Sequence, residues 1–178
     1  KRAEGVWADV RVIDGSVLAT WLERAPAVAL WIADELGRPI HGLQSIDRFW
    51  SCAVANRYAP SITPDLIIGG RETARENLVE FLQSPSGVIN LVGETAEVAA
   101  MFAAAVCKQA FTPEQRSRLL VLSDPGVTEH LATLSQEHIV LLTDPALYPA
   151  VRSDALSHLY FIIPEKRGAR MNTTTEAI

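Results

Sequence analysis

The chain has 178 residues, 48% hydrophobic and 21% charged, which suits one domain or one and a half and excludes a disordered, collagen-like or coiled-coil protein. Its formal net charge is −5 and no Lys/Arg run exceeds a pair, so the electrostatic footprint of a nucleic-acid binder is missing. The longest apolar run, Val98 to Cys107, is far shorter than the ~20 residues that cross a bilayer, which excludes a membrane span and fits a cytoplasmic protein.

The charge is unevenly spread. Residues 1–60 hold seven Lys/Arg against seven Asp/Glu, whereas residues 61–178 hold nine against fourteen. All four tryptophans, Trp7, Trp21, Trp31 and Trp50, lie in the first part. Two units are therefore expected: a helical N-terminal unit with one short strand over 1–59, and an α/β domain over 60–164, followed by a polar tail over 165–178. Lys1-Arg2-Ala3-Glu4-Gly5 at one end and Met171-Asn172-Thr173-Thr174-Thr175 at the other read as the edges of a piece of a longer protein.

In chain order, Val10–Ile13 reads as the short strand, and Asp14-Gly15 ends it before Ser16 caps a helix bearing Val17, Leu18, Trp21 and Leu22 on one face. Pro26 opens a second helix with a stripe of Val28, Trp31, Ile32 and Leu36, and Gly37 stops it. Ser45 caps a third, in which Ile46, Phe49, Trp50, Ala53 and Val54 recur at core-facing spacing. The tryptophans at this spacing read as core and interface anchors. Pro60-Ser61-Ile62-Thr63-Pro64 is the linker.

Beyond it the elements alternate. A helix over about Arg71–Leu82 leads to a strand Val88–Val92, a helix from Thr95 to about Gln109 and a strand Leu119–Leu122. A helix near Val127–Leu134, a strand Ile139–Leu142, a short helix near Leu147–Leu156 and a strand Leu159–Ile163 follow. Such apolar strands between helices predict a mostly parallel sheet with covered faces, in a three-layer arrangement. No internal repeat is evident.

In a parallel α/β sheet, ligands sit beyond the carboxyl ends of the strands. Those ends are Gly93-Glu94-Thr95, Ser123-Asp124, Thr143-Asp144 and Pro164-Glu165-Lys166. The run Leu66-Ile67-Ile68-Gly69-Gly70-Arg71-Glu72, then Leu78 and Phe81-Leu82, then Val88–Gly93, resembles the entry to STAND-type P-loop ATPases over residues 64–164. In that family an apolar Gly-Arg-Glu element and a helix precede the first strand and its phosphate loop. The resemblance implies a nucleotide site at Arg71, Gly93, Glu94, Thr95 and Asp144, with Asp144 where the family carries its metal-associated acid.

The family's loop is Gly-x-x-x-x-Gly-Lys-Ser/Thr, whereas Val92-Gly93 here runs into Glu94-Thr95-Ala96-Glu97, without the second glycine that wraps the backbone or the lysine that offsets phosphate charge. Glu94 and Glu97 add negative charge instead. At ~4 Å and an effective dielectric of ~20, each like-charge pair costs up to about 4 kcal/mol, against ~0.3–1 kcal/mol returned by a helix N-terminus. ATP and magnesium are therefore the alternative cofactors and none is the first reading. Asp124-Pro125 and Asp144-Pro145 read more simply as turns.

A second likeness precedes it. Trp7, Asp9-Val10-Arg11-Val12, Asp14, Leu18, Trp21-Leu22-Glu23, Pro26-Ala27-Val28, Trp31 and Leu36-Gly37 resemble the segment after a restriction-endonuclease-like core in large bacterial proteins. No Asp with Glu-x-Lys metal set accompanies them. His41, His130, His138 and His158 lack zinc spacing and read as surface or partly satisfied histidines. Cys52 and Cys107 read as reduced core thiols.

The expected function is a non-catalytic scaffold or interaction module of a larger bacterial protein, of a defence or regulatory kind, with no catalytic or metal residues. Its expected partners are other domains of the same protein or other proteins, with an oligomer allowed. The alternative is a nucleotide-binding or hydrolysing domain in which Lys166 or Arg71 supplies the missing charge and Thr95 and Asp144 serve magnesium. A third option sets Arg11, Arg24, Arg38, Arg48 and Arg57 on one face toward nucleic acid.

Overall fold

The computed structural model describes residues 13–55 and 62–168. Most of the strand expected at Val10–Ile13, together with Trp7, Arg11 and Arg57, lies outside them. Ile13 itself is not in a strand. The first helix, α1 (Gly15–Arg24), starts one residue before Ser16 because Asp14 is the cap, accepting from Ser16 N at 3.0 Å and Val17 N at 2.9 Å. Pro26 begins α2 (Pro26–Glu35), and Gly37, at φ +69°, follows its end.

A strand that local propensity does not signal comes next, β1 (Leu43–Ser45), which pairs antiparallel with a strand some eighty residues later, Leu43 opposite Leu122. Ser45 then caps α3 (Ile46–Phe49), its Oγ accepting from Arg48 N at 3.2 Å, and the chain continues as a π-helical turn over Trp50–Ala55. Ile46, Phe49 and Trp50 are buried as expected. The side chains of Ala53 and Val54 lie outside the described ones.

The remaining elements are α4 (Pro64–Ile68), α5 (Glu72–Gln83), β2 (Val88–Gly93), α6 (Ala96–Ala110), α7 (Pro113–Arg116), β3 (Leu119–Leu122), α8 (Thr128–Ala132), β4 (His138–Leu142), α9 (Tyr148–Val151) and β5 (Leu159–Lys166). Short 3-10 turns precede α8 and α9. The fold is α/β: a five-stranded sheet in the order β1-β3-β4-β5-β2, parallel except for β1, with helices on both faces.

Strand alternation divides the core. Leu119, Val121, Ile139, Leu141 and Ile162 face the layer containing α3, α5 and α6, while Leu120, Leu122, Val140, Leu142, Phe161 and Ile163 face Leu131 of α8 and Val151 of α9. The chain crosses from β2 to β3 with α6 on the first face and steps back through β4 to β5 with α8 and α9 on the second. Right-handed crossovers require that exchange of faces when the direction reverses. Pro164 is tolerated late in β5 because the pairing with β4 stops at Leu141 opposite Ile162, so no donor is needed on that side. Because β5 runs to Lys166, Glu165 and Lys166 belong to the sheet rather than to the tail.

A short repeat, not expected from the sequence, is plain in three dimensions. Leu122-Ser123-Asp124-Pro125 and Leu142-Thr143-Asp144-Pro145 make the same strand-to-helix turn. Asp124 has φ −141°, ψ 127° and Asp144 has φ −139°, ψ 132°. Ser123 and Thr143 each bond, through backbone N and hydroxyl, to a carbonyl of the neighbouring strand's end, Gly42 O and Leu122 O. Val127 and Leu147, then Leu131 and Val151, occupy matching buried positions.

Asp47 crosses the expected boundary at 60–64. It bonds Lys108 of α6 at 2.5 Å and Arg116 of α7 at 3.2 Å. Partial burial raises its pKa, but Lys108 and Arg116 outweigh that and hold the carboxyl below its ordinary value.

Candidate functional site

The carboxyl edge gathers Gly93, Glu94 and Thr95 after β2, Thr143 and Asp144 after β4, and Glu165 and Lys166 at the end of β5. The connection from β2 to α6 is only Glu94-Thr95. Thr95 Oγ1 accepts from Val98 N at 3.1 Å, the Thr95 carbonyl accepts from Ala99 N at 3.2 Å, and the Gly93 carbonyl accepts from Arg167 N at 2.7 Å. The first turn of α6 is thus capped by the chain itself.

Gly93 has a local reason to be glycine. A Cβ there would meet Thr95 O at 2.9 Å and Ala99 N at 3.1 Å. The close approach that the resemblance assigns to a phosphate is taken up by the turn's own backbone. Glu94 and Glu97 are exposed.

Asp144 Oδ1 accepts from Ala146 N at 2.8 Å, as Asp124 Oδ1 accepts from Gly126 N at 2.8 Å. Two acids in one geometry at successive strand ends are performing one local task, capping a turn. Arg71 lies elsewhere. Its guanidinium donates to the Ile67 carbonyl, and its neighbours Asp65 and Arg75 are joined through Gln109 at 2.6 Å and 2.9 Å. Gln109 is in the last turn of α6, about 20 Å along the helix from Thr95 at 1.5 Å per residue.

The fold contributes two residues whose importance depends on strand order. Lys166 is in register with Gly93 and exposed, and alternation from Ile162 puts it on the α6 side of the sheet. Glu165 is buried at 8% exposure, with Oε1 lacking a hydrogen-bond partner. Both belong to a strand end expected from the sequence, and the pairing of β5 with β2 adds that Lys166 stands beside Gly93.

Phe49, Glu97, Ala100, Met101 and Thr143 line a cavity of about 280 Å³ at this edge, just below the ~300–1,000 Å³ usual for small-molecule sites. No group of three or more His, Cys, Asp or Glu among the described residues is arranged to hold a metal ion. A larger cavity, about 580 Å³, lies between α2, β1 and α3. Its charged lining includes Asp34 and Arg48, already paired at 2.5 Å. With Arg48 so engaged, the face proposed for five arginines is reduced, among the described residues, to exposed Arg24 and Arg38.

At the amino edge, His138 is 1% exposed and neither ring nitrogen makes a hydrogen bond of regular geometry, the Glu23 backbone being its polar partner. Burial, reinforced by Arg118 and His158, pushes its pKa down to about 4. It is a neutral core residue, not the surface or partly satisfied histidine expected. Cys107 is likewise in the core, its thiol pushed up to about 12 by burial. Cys52 is exposed, contrary to expectation.

The tryptophans divide. Trp50 is 6% exposed, whereas Trp21 is 51% and Trp31 61% exposed, with Val17, Leu18, Val28 and Leu36 also open. The stripes of α1 and α2 form as expected but do not face the core.

These observations define an α/β domain of P-loop or Rossmann-like three-layer arrangement whose first parallel strand ends in a closed, self-capped turn. The chain matches no protein-family model, no curated protein and no solved structure. No helix among the described residues is long and apolar enough to cross a membrane.

Proposed function

We propose that this chain is a non-catalytic interaction module built on a degenerate STAND-type P-loop scaffold. The observation that carries the reading is the Glu94-Thr95 turn, in which Thr95 caps α6 and Gly93 has no room beside it. A phosphate needs several backbone N–H groups converging on it, and a two-residue connection cannot wrap one. The exposed apolar residues of α1 and α2, Trp21 and Trp31 among them, support the interaction role, since exposed aromatic side chains are enriched where protein partners bind. A bacterial defence or regulatory protein is the context suggested by the family resemblance.

Thermal unfolding with and without Mg-ATP tests this. A ligand at 100 times its dissociation constant adds about 2.7 kcal/mol, a rise of roughly 5–10 °C at this size. No rise is expected. The second reading, an unorthodox nucleotide site, is favoured by Lys166 standing in register beside Gly93. It requires such a rise, and requires that Lys166→Ala abolish it.

A further inference from the structure

We propose that the outer edge of β2 is a self-pairing surface, along which two copies of the chain join antiparallel about a two-fold axis at Asn90. Among the described residues, β2 ends the sheet and pairs only with β5. Phe161 N donates to Gly87 O and Arg167 N to Gly93 O, which fixes the parity: odd-numbered residues of β2 turn their backbone groups toward β5. The N–H and C=O groups of Val88, Asn90 and Val92 therefore point outward, three donors and three acceptors with no strand of the described residues beside them. Their side chains stand on the face that α8 and α9 leave bare at this margin, with Val88 40% and Val92 59% exposed.

Natural sheet edges are protected by lysine, proline or bulges. This one has none: Val88-Ile89-Asn90-Leu91-Val92-Gly93 is uncharged and regular. The pattern is also its own complement. With Asn90 opposite Asn90 of the second copy, Val88 meets Val92 and Val92 meets Val88, so all outward groups form hydrogen bonds and β-branched side chains lie side by side. The first acid past the strand, Glu94, falls opposite Ser86, and no like charges face each other. A second copy of this chain is thus the occupant whose chemistry the edge matches, and the result is a continuous sheet across both copies. This surface is separate from the turn at Gly93–Thr95, and the proposal does not depend on the fate of the nucleotide reading.

Sedimentation velocity across a concentration series tests the pairing. The wild-type chain is expected to move from monomer to dimer in the micromolar range typical of small interfaces. Asn90→Lys sets two ammonium groups face to face on the axis and should leave a monomer throughout, with unchanged circular dichroism and melting temperature because the side chain is exposed. In a Cys52→Ser background, Asn90→Cys should form an intermolecular disulfide, since directly opposed hydrogen-bonded residues have Cα atoms about 5.5 Å apart. A wild-type chain that stays monomeric at several hundred micromolar (about the top of the series) overturns the proposal. So does a dimer that survives Asn90→Lys, or one broken instead by Trp31→Glu.

Discussion

Trp50 opens the π-helical turn after α3 and is sealed beneath α6, whereas Trp21 on α1 and Trp31 on α2 stand in solvent. Periodicity establishes that a helix has an apolar face, whereas the neighbouring elements decide what that face meets. α3 leads directly out of β1, which is stitched into the sheet, so its stripe reaches the core. α1 contributes no buried residue, and α2 reaches the sheet mainly through Ala27 and Leu30.

The contrast is most sharply broken at Trp50. Trp50→Ala should cost about 3–5 kcal/mol, the range for aromatic truncation in a core, read as a large fall in the urea midpoint. A loss under ~1 kcal/mol would mean that the helical segment is not part of the sheet's core.

Next come the repeated turns. Asp124→Ala and Asp144→Ala should each cost about 0.5–2 kcal/mol, as loss of a side-chain cap does, and by similar amounts. Equal losses make Asp144 a turn residue. A much smaller loss at Asp144 than at Asp124 would show that its cap has a different role.

A smaller, pH-dependent effect belongs to His138. Its folded-state pKa of about 4 lies below the unfolded value of 6.5, so the unfolded chain binds more protons between those values. Stability is then full above pH 6.5 and declines as pH falls toward 4. His138→Leu should flatten the difference between urea midpoints measured at pH 7 and near pH 4.5 (about the middle of that window). An unchanged difference would place the acid sensitivity elsewhere. Smallest of all, Trp21→Ser and Trp31→Ser should alter stability by no more than about 0.5 kcal/mol, as surface substitutions do. A loss comparable to that of Trp50→Ala would erase the distinction between the regions.

Much of the α/β alternation is legible in the sequence because its strands are unbroken apolar runs. Leu119–Leu122 emerges with the bounds expected, and Val88, Ile139 and Leu159 all begin or nearly begin their strands. β1 is not legible, since Leu43-Gln44-Ser45 has neither alternation nor β-branched residues and becomes a strand only by pairing with β3. The repeat is legible in retrospect from the two Asp-Pro turns twenty residues apart. At the candidate site, the missing lysine and second glycine are plain in the sequence. The nearness of Lys166 to Gly93 is not, because it follows from β5 lying between β4 and β2.

The most direct test of the central claim, that the turn after β2 is closed to phosphate, is a site-resolved one. Amide nitrogen–proton spectra recorded during titration with Mg-ATP should leave the resonances of Gly93, Glu94, Thr95 and Val98 unmoved into the millimolar range, roughly the weakest affinity worth calling binding. Saturable shifts confined to those residues and Lys166 would contradict the account.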